Sequence, residues 1–178
     1  QVVNNPFIRG LTADNLKHIL TSRCLSSYYP VRTLTYAVDY EIWGLRPGGF
    51  KLTNAAVHLA NALLLLWLML RLMRDPLAAG GSLGPWEVAL AALAAAAFAV
   101  HPVVVEPVTW VPGREELLMT LGALGCIHLH VSARRLSEKG GATPLAFASY
   151  AGAALACAAA CLSNAVGAVI PLVITAWD

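Results

Sequence analysis

The chain has 178 residues, of which 58% are hydrophobic and only 12% are Asp, Glu, Lys or Arg. Soluble domains average about 25% charged residues, so this chain lacks the polar surface that a water-soluble globule of its length needs. That excludes a soluble enzyme and a disordered chain. A net charge of +2 excludes a strong electrostatic footprint for nucleic acid. The expectation is an integral membrane protein.

Residues 1–51 carry six of the twelve Lys and Arg and most of the Tyr. Thr12 is placed to cap a short helix whose Leu16, Ile19, Leu20 and Cys24 share one face. A second helix is expected from Arg32 to Trp43, ending at Gly44, with Arg46-Pro47-Gly48-Gly49 turning the chain onward. Two short amphipathic helices beside a bilayer make an interfacial layer, or else a small soluble cap on the same side.

From residue 52 the charges mark out spans. The stretches Leu52–Leu70, Val88–Val105 and Leu117–Ala133 hold no Asp, Glu, Lys or Arg over 19, 18 and 17 residues, and Gly140–Trp177 holds none over 38. A bilayer core of about 30 Å takes about 20 helical residues. The first three stretches fit one helix each, and the last fits two with a break at Ser163-Asn164. Leu/Ala runs such as LANALLLLWLMLRLM favour helix over strand. The expected architecture is all-α and polytopic. It has about five transmembrane helices, near 52–70, 86–101, 115–133, 144–162 and 165–177, and a fourth helix rich in small packing residues.

Five Lys and Arg lie in the loops at 71–87 and 134–139, against Arg114 alone at 101–116. The positive-inside rule therefore puts the first two loops in the cytoplasm and residues 1–51 and 101–116 on the opposite side. The chain opens on Gln1 in mid-pattern, with no visible targeting segment, and reads as part of a longer polypeptide.

Polar groups at membrane depth need a reason. Asn54, His58 and Asn61 share one face of the first span. Either they bond between helices and fix the packing, or Asn54 and His58 line a substrate cavity. The strongest local signal runs from His101 to Glu116, where three prolines break any helix and His101, Glu106, Arg114 and Glu115 fall together. His and Glu can exchange protons, and Arg can grip a phosphate bidentately. The structural alternative pairs Glu106 with Arg114 to hold the loop. His128 and His130 point about 200° apart on a helix and do not share a metal easily, so no metal or cofactor is expected. Cys126, Cys157 and Cys161 fall within spans and read as small packing residues.

In order, the segments VVNNPFIRGLT, SYYPVRTLTYAVDYEIWGLRPGGFKLTNAAVHLANALLL, FAVHPVVVEPVTWVPGREELL and CLSNAVGAVIPLVITAWD resemble a known family. They are similar to the N-terminal membrane region of the transmembrane-and-tetratricopeptide-repeat O-mannosyltransferases and their bacterial relatives, within the GT-C superfamily. The resemblance covers almost the whole chain. It implies a membrane-embedded enzyme of the endoplasmic reticulum (a bacterial inner membrane for the bacterial relatives) acting at the non-cytoplasmic face. Such an enzyme transfers mannose from a lipid-phosphate donor to protein hydroxyls. Its partners would be the bilayer, the lipid-linked donor, a protein acceptor and other membrane subunits.

The resemblance also implies roles for particular residues. Arg32 or Arg114 would neutralise the donor phosphate, and His101 and Glu106 would position sugar or acceptor hydroxyls. Gly113-Arg114-Glu115-Glu116 fits the family's Gly-Arg-x-acid pattern. The family's acidic pair, with its catalytic Asp, belongs before the stretch matched by Val3-Asn4-Asn5-Pro6, which leaves no catalytic acid in this chain. Tyr28-Tyr29-Pro30 replaces the family's Tyr-Arg-Pro, Val104 replaces the second His of His-Pro-x-His-x-Glu, and Asn164-Ala165 replaces a Lys-Glu pair. These departures keep a second expectation open, that of a catalytically inactive relative serving as a membrane scaffold.

Overall fold

A computed structural model of the chain describes residues 5–22, 28–74 and 83–177. Cys24, Val3, Asn4 and much of the 71–87 loop lie outside these. The described residues form helices and turns without a strand, as the Leu/Ala runs require.

A 3₁₀ turn at Pro6–Ile8 precedes α1 (Ala13–Thr21). The Thr12 hydroxyl accepts the Asn15 amide at 3.3 Å, which is the expected cap. Ile19 is buried, whereas Leu20 is 55% exposed and leaves the anticipated apolar face. Helix α2 (Pro30–Trp43) begins two residues before the expected Arg32, because Pro30 is favoured in a first turn, and it ends at Gly44 with φ +62°. Ile8, Ile19, Tyr36, Ala37 and Phe50 form a small core that fastens these elements to the start of α3.

Helix α3 (Pro47–Arg74) starts well before residue 52, so the border between interfacial segment and first span falls inside one continuous helix. Next come α4 (Pro85–Val100), a 3₁₀ turn at Pro102–Val104, the short α5 (Val105–Thr109) and a 3₁₀ turn at Val111–Gly113. Helix α6 (Arg114–Gly140) and α7 (Pro144–Ser163) form the most intimate pair. A Cβ added to Gly122 of α6 would lie 2.9 Å from the Ala156 carbonyl oxygen and 2.9 Å from the Ala160 Cβ. The small residues of the fourth predicted span are what allow this approach.

Three helices, α3, α6 with its preceding turn, and α7, are long and apolar enough to cross a bilayer. A fourth crossing is supplied if α4 and the following Pro102–Thr109 segment, bent by 44°, act as one. The fifth expected span, near 165–177 and read as short or cut by the chain end, is a shorter apolar helix among the described residues. After a break at Asn164, where the side chain accepts the Val166 amide at 3.0 Å, a 3₁₀ turn (Ala165–Val169) leads into α8 (Ile170–Trp177). Its apolar stretch, Ala165–Ala176, is shorter than 18 residues among the described residues. Ile170 packs with Cys126, Ala153 and Ala160 against α6 and α7.

Helix α3 is turned inside out relative to a helix in water. Asn54, His58 and Asn61 are buried at 0%, 8% and 0% exposure, while Leu59, Leu63 and Trp67 on the other side are 60%, 57% and 55% exposed. In water that arrangement would forfeit apolar burial and desolvate three amide or imidazole groups. In hydrocarbon it is the stable one, because apolar side chains meet lipid and polar groups find partners inside. On α7, Leu145, Phe147 and Leu155 are likewise exposed above a buried line of Ala146, Ala153 and Ala160. The protein is an all-α membrane protein.

Candidate functional site

Helices α3, α4, α6 and α7 alternate in direction. This brings the start of α3, the 101–113 loop, the start of α6 and the end of α7 to one end of the bundle, where α2 lies against α3, α6 and α7. The interfacial segment and the proline-broken loop thus share a side, and most of the residues singled out in the sequence sit there.

Arg114, at the first position of α6, is completely buried. Nε donates to Asn54 Oδ1 at 2.7 Å, Nη2 donates to the Phe50 carbonyl at 2.8 Å, and Nη1 reaches Thr35 Oγ1 at 3.4 Å. Nη2 also lies 2.5 Å from Asp39 Oδ2, and the guanidinium stands over the Tyr36 ring at 4.8 Å. The pairing of Arg114 with Glu106 that would have held the loop does not form. Asp39 takes that place, because α2 delivers a carboxylate directly over the α6 N-terminus while Glu106 is exposed. Arg114 therefore has every part of its fork engaged and presents no face to a phosphate in this structure.

Asn54 Nδ2 donates to the carbonyls of Pro107 and Trp110, at 3.1 and 3.3 Å. Asn61 Nδ2 donates to the Leu117 carbonyl at 2.9 Å, and His58 Nε2 pairs with the Ala99 carbonyl at 3.0 Å. Each of these side chains thus reaches the backbone of another helix or loop. Of the two expectations for these residues, the packing role is the one whose contacts are present. Gly113 is required where the loop doubles back, since a Cβ there would sit 2.6 Å from the Pro107 Cα.

Arg32 and Glu115 form a second ion pair between α2 and α6, with side chains 13% and 23% exposed. The Arg32 guanidinium lies 5.0 Å from the Tyr29 ring centroid, and its buried Nε has no hydrogen-bond acceptor among the described residues. Between the two ion pairs, the Tyr36 hydroxyl donates to the Val111 carbonyl at 2.9 Å. Burial pushes the Tyr36 phenol up to about 12, against a partial opposing pull from Arg32 and Arg114.

His101 and Glu106 are exposed on the loop. His101 Nδ1 accepts the Val103 amide at 3.2 Å, capping the 3₁₀ turn, so in the neutral ring the proton sits on Nε2. Among the described residues no hydrogen bond or ion pair joins either to Arg32 or Arg114. Trp110, Val103 and Val105 beside them are more than half exposed. Among the described residues no group of three His, Cys, Asp or Glu is placed to hold a metal ion.

Asp39 and Tyr36 went unread in the sequence, although the signal was there. Arg32, Tyr36 and Asp39 are spaced i, i+4, i+7 on α2 and fall on one face. An acid on the buried face of an amphipathic helix asks for a cation, and Arg114 supplies it.

No family model and no solved structure matches the chain. Two curated proteins do. Protein O-mannosyl-transferase F38B6.6 of Caenorhabditis elegans is 30% identical over 148 residues, covering 78% of this chain. Protein O-mannosyl-transferase Tmtc3 of Drosophila melanogaster is 36% identical over 103 residues, covering 53% of it. The matches take in 20% and 11% of those two proteins, so this chain spans a small part of their length. Over part of its length the chain is a homologue of proteins named protein O-mannosyl-transferase.

Proposed function

We propose that this chain is the N-terminal membrane region of a GT-C glycosyltransferase that moves a mannose-like sugar from a lipid-phosphate donor onto protein hydroxyls. The reading includes a place in the endoplasmic reticulum membrane and tetratricopeptide repeats in the longer chain. The observation that carries it is the similarity to two proteins named as O-mannosyl-transferases, one of which matches over 78% of the chain. The exposure of the His101 and Glu106 side chains, at the end of the bundle where Arg32 also lies, supports it.

In this reading His101 and Glu106 orient sugar or acceptor hydroxyls through Nε2–H and the carboxylate. The phosphate, which leaves as an anion, is met by Arg32 at the partly exposed edge of its pair with Glu115. Neutralising charge as it develops on the leaving group is the main catalytic contribution available to these residues. Arg114 moves from the donor site to the scaffold beneath it. No catalytic base is assigned within this chain, and no cofactor beyond the donor is required.

A second reading, that of an inactive relative acting as a membrane scaffold, is favoured by one observation. Both arginines considered for the phosphate, Arg32 and Arg114, already have carboxylate partners. The full-length protein, reconstituted with a peptide acceptor and labelled mannose, separates the two. Transfer from lipid-phosphate mannose and none from nucleotide-linked mannose is expected. Absence of transfer from the lipid donor overturns the enzyme reading in favour of the scaffold.

A further inference from the structure

We propose that Asp39, Arg114 and Asn54 form a positioning relay that sets the turn carrying Glu106. The proposal rests on the reading that this loop bears the site, and deepens it. None of the three touches solvent appreciably, at 3%, 0% and 0% exposure, and an ion pair and then a hydrogen bond link them in order. Thr53 Oγ1 donates to Asp39 Oδ1 at 2.8 Å, and Asp39 pairs with Arg114. Arg114 Nε fixes Asn54 Oδ1, which orients the amide so that Nδ2 points at the loop. Asn54 then holds the carbonyls of Pro107 and Trp110, one immediately after Glu106 and one just past the end of α5.

The loop needs such an anchor. Helix α5 has five residues, too few to be stable alone. Pro102, Pro107 and Pro112 supply no amide hydrogen to a ladder. Two carbonyls of this irregular backbone are both held by one side-chain amide whose rotamer is set from behind, and the Trp110 carbonyl also accepts the Gly113 amide at 3.0 Å. The geometry of Glu106 is therefore governed from α2, through a buried path that touches neither sugar nor phosphate. Asp39, Arg114 and Asn54 are positioning residues; the sequence alone offered Arg114 to a phosphate or to Glu106, and Asn54 to packing or a cavity.

The test uses the full-length protein in lipid nanodiscs, with two readouts for Asn54→Ala, the isosteric Asn54→Asp, Asp39→Asn and the conservative Asp39→Glu. Hydrogen exchange reports the loop directly. Exchange over 105–113 should quicken about tenfold or more in Asn54→Ala and Asp39→Asn, while that over 117–133 stays as in wild type. Asn54→Asp keeps an acceptor for Arg114 but replaces the amide donor. It should free the loop almost as much, which a role confined to satisfying Arg114 would not do. Asp39→Glu should restore much of the protection. In the transfer assay kcat should fall at least about tenfold in the loosened variants, with KM for the lipid donor changed much less. Unchanged loop exchange in Asn54→Ala and Asn54→Asp overturns the relay. Faster exchange with unaltered kcat overturns its bearing on the site. A wild-type protein without transfer overturns the enzymatic reading instead, and the relay then stands or falls on exchange alone.

Discussion

Arg114 Nη2 stands 2.5 Å from Asp39 Oδ2, and neither residue is exposed by more than a few per cent. This pair joins the interfacial helix α2 to the first turn of a membrane-spanning helix. Together with the Arg32–Glu115 pair, it crosses the same interface with the charges reversed, a cation on α2 facing an anion on α6 and the converse. The reversal fixes register, since sliding α2 along α6 would set like charges together.

Breaking the buried pair from one side should be costly. Arg114→Ala leaves Asp39 charged and buried, with Asn54 and the Phe50 carbonyl short of a donor. A loss of about 3–5 kcal/mol is expected. Replacing both partners with apolar residues, Asp39→Leu with Arg114→Met, should recover a large part of it. Reversible denaturation of the four proteins in mixed micelles, read as a double-mutant cycle, checks this.

The outer pair should behave differently. Arg32 and Glu115 are partly exposed, so Glu115→Gln is expected to lower stability by no more than about 1 kcal/mol. The same substitution frees Arg32 for a phosphate and should tighten binding of the lipid donor. Donor titration at two ionic strengths, with thermal melting alongside, separates the two effects.

Close packing of α6 on α7 gives a contrast between neighbouring glycines. A Cβ at Gly122 meets the Ala156 carbonyl oxygen at 2.9 Å, whereas one at Gly125 meets only the Ala156 Cβ, at an ordinary 3.8 Å. Gly122→Ala should destabilise the protein by about 1–3 kcal/mol. Gly125→Ala should be neutral or stabilising by up to about 1 kcal/mol, through better helix propensity. Melting temperatures of the two variants decide it.

Tyr36 supplies a pH dependence. Its phenol is raised from an ordinary 10.0 to about 12, chiefly by burial. The folded protein thus holds the proton where the unfolded chain has lost it. The contribution is fully present below about pH 10 and is lost as pH rises from 10 towards 12, by about 2–3 kcal/mol at most. Tyr36→Phe should lose about 1 kcal/mol near pH 8, with the bond to Val111, and show a shallower decline between pH 9.5 and 11.5. Unfolding free energies across that range give the comparison.

The architecture was legible because charge is expensive in hydrocarbon, so the gaps between Lys51, Arg71, Glu87, Glu106, Glu116 and Arg134 traced the helices directly. The break at Ser163-Asn164 was legible for a related reason, since Asn164 is a strong cap. The 3₁₀ turn that follows it was not, because it has the same apolar composition as a helix. At the site, the sequence brought His101, Glu106, Arg114 and Glu115 to one loop but could not say which would be buried. Arg114 follows Glu106 by eight residues and looked like its partner. Its true partner lies 75 residues earlier, on a helix whose approach depends on the fold of the whole bundle. Asn54 was flagged as polar at membrane depth, and only the folded loop showed which carbonyls it serves.

The central claim is that the end of the bundle bearing the 101–113 loop performs sugar transfer. Glu106 tests it most directly, because it is exposed and makes no side-chain hydrogen bond or ion pair among the described residues, so its loss should leave the fold intact. In the full-length protein with lipid-phosphate mannose and a peptide acceptor, Glu106→Ala should reduce the transfer rate by at least about a hundredfold while melting within a degree or two of wild type. Transfer that continues at the wild-type rate in Glu106→Ala would contradict the account.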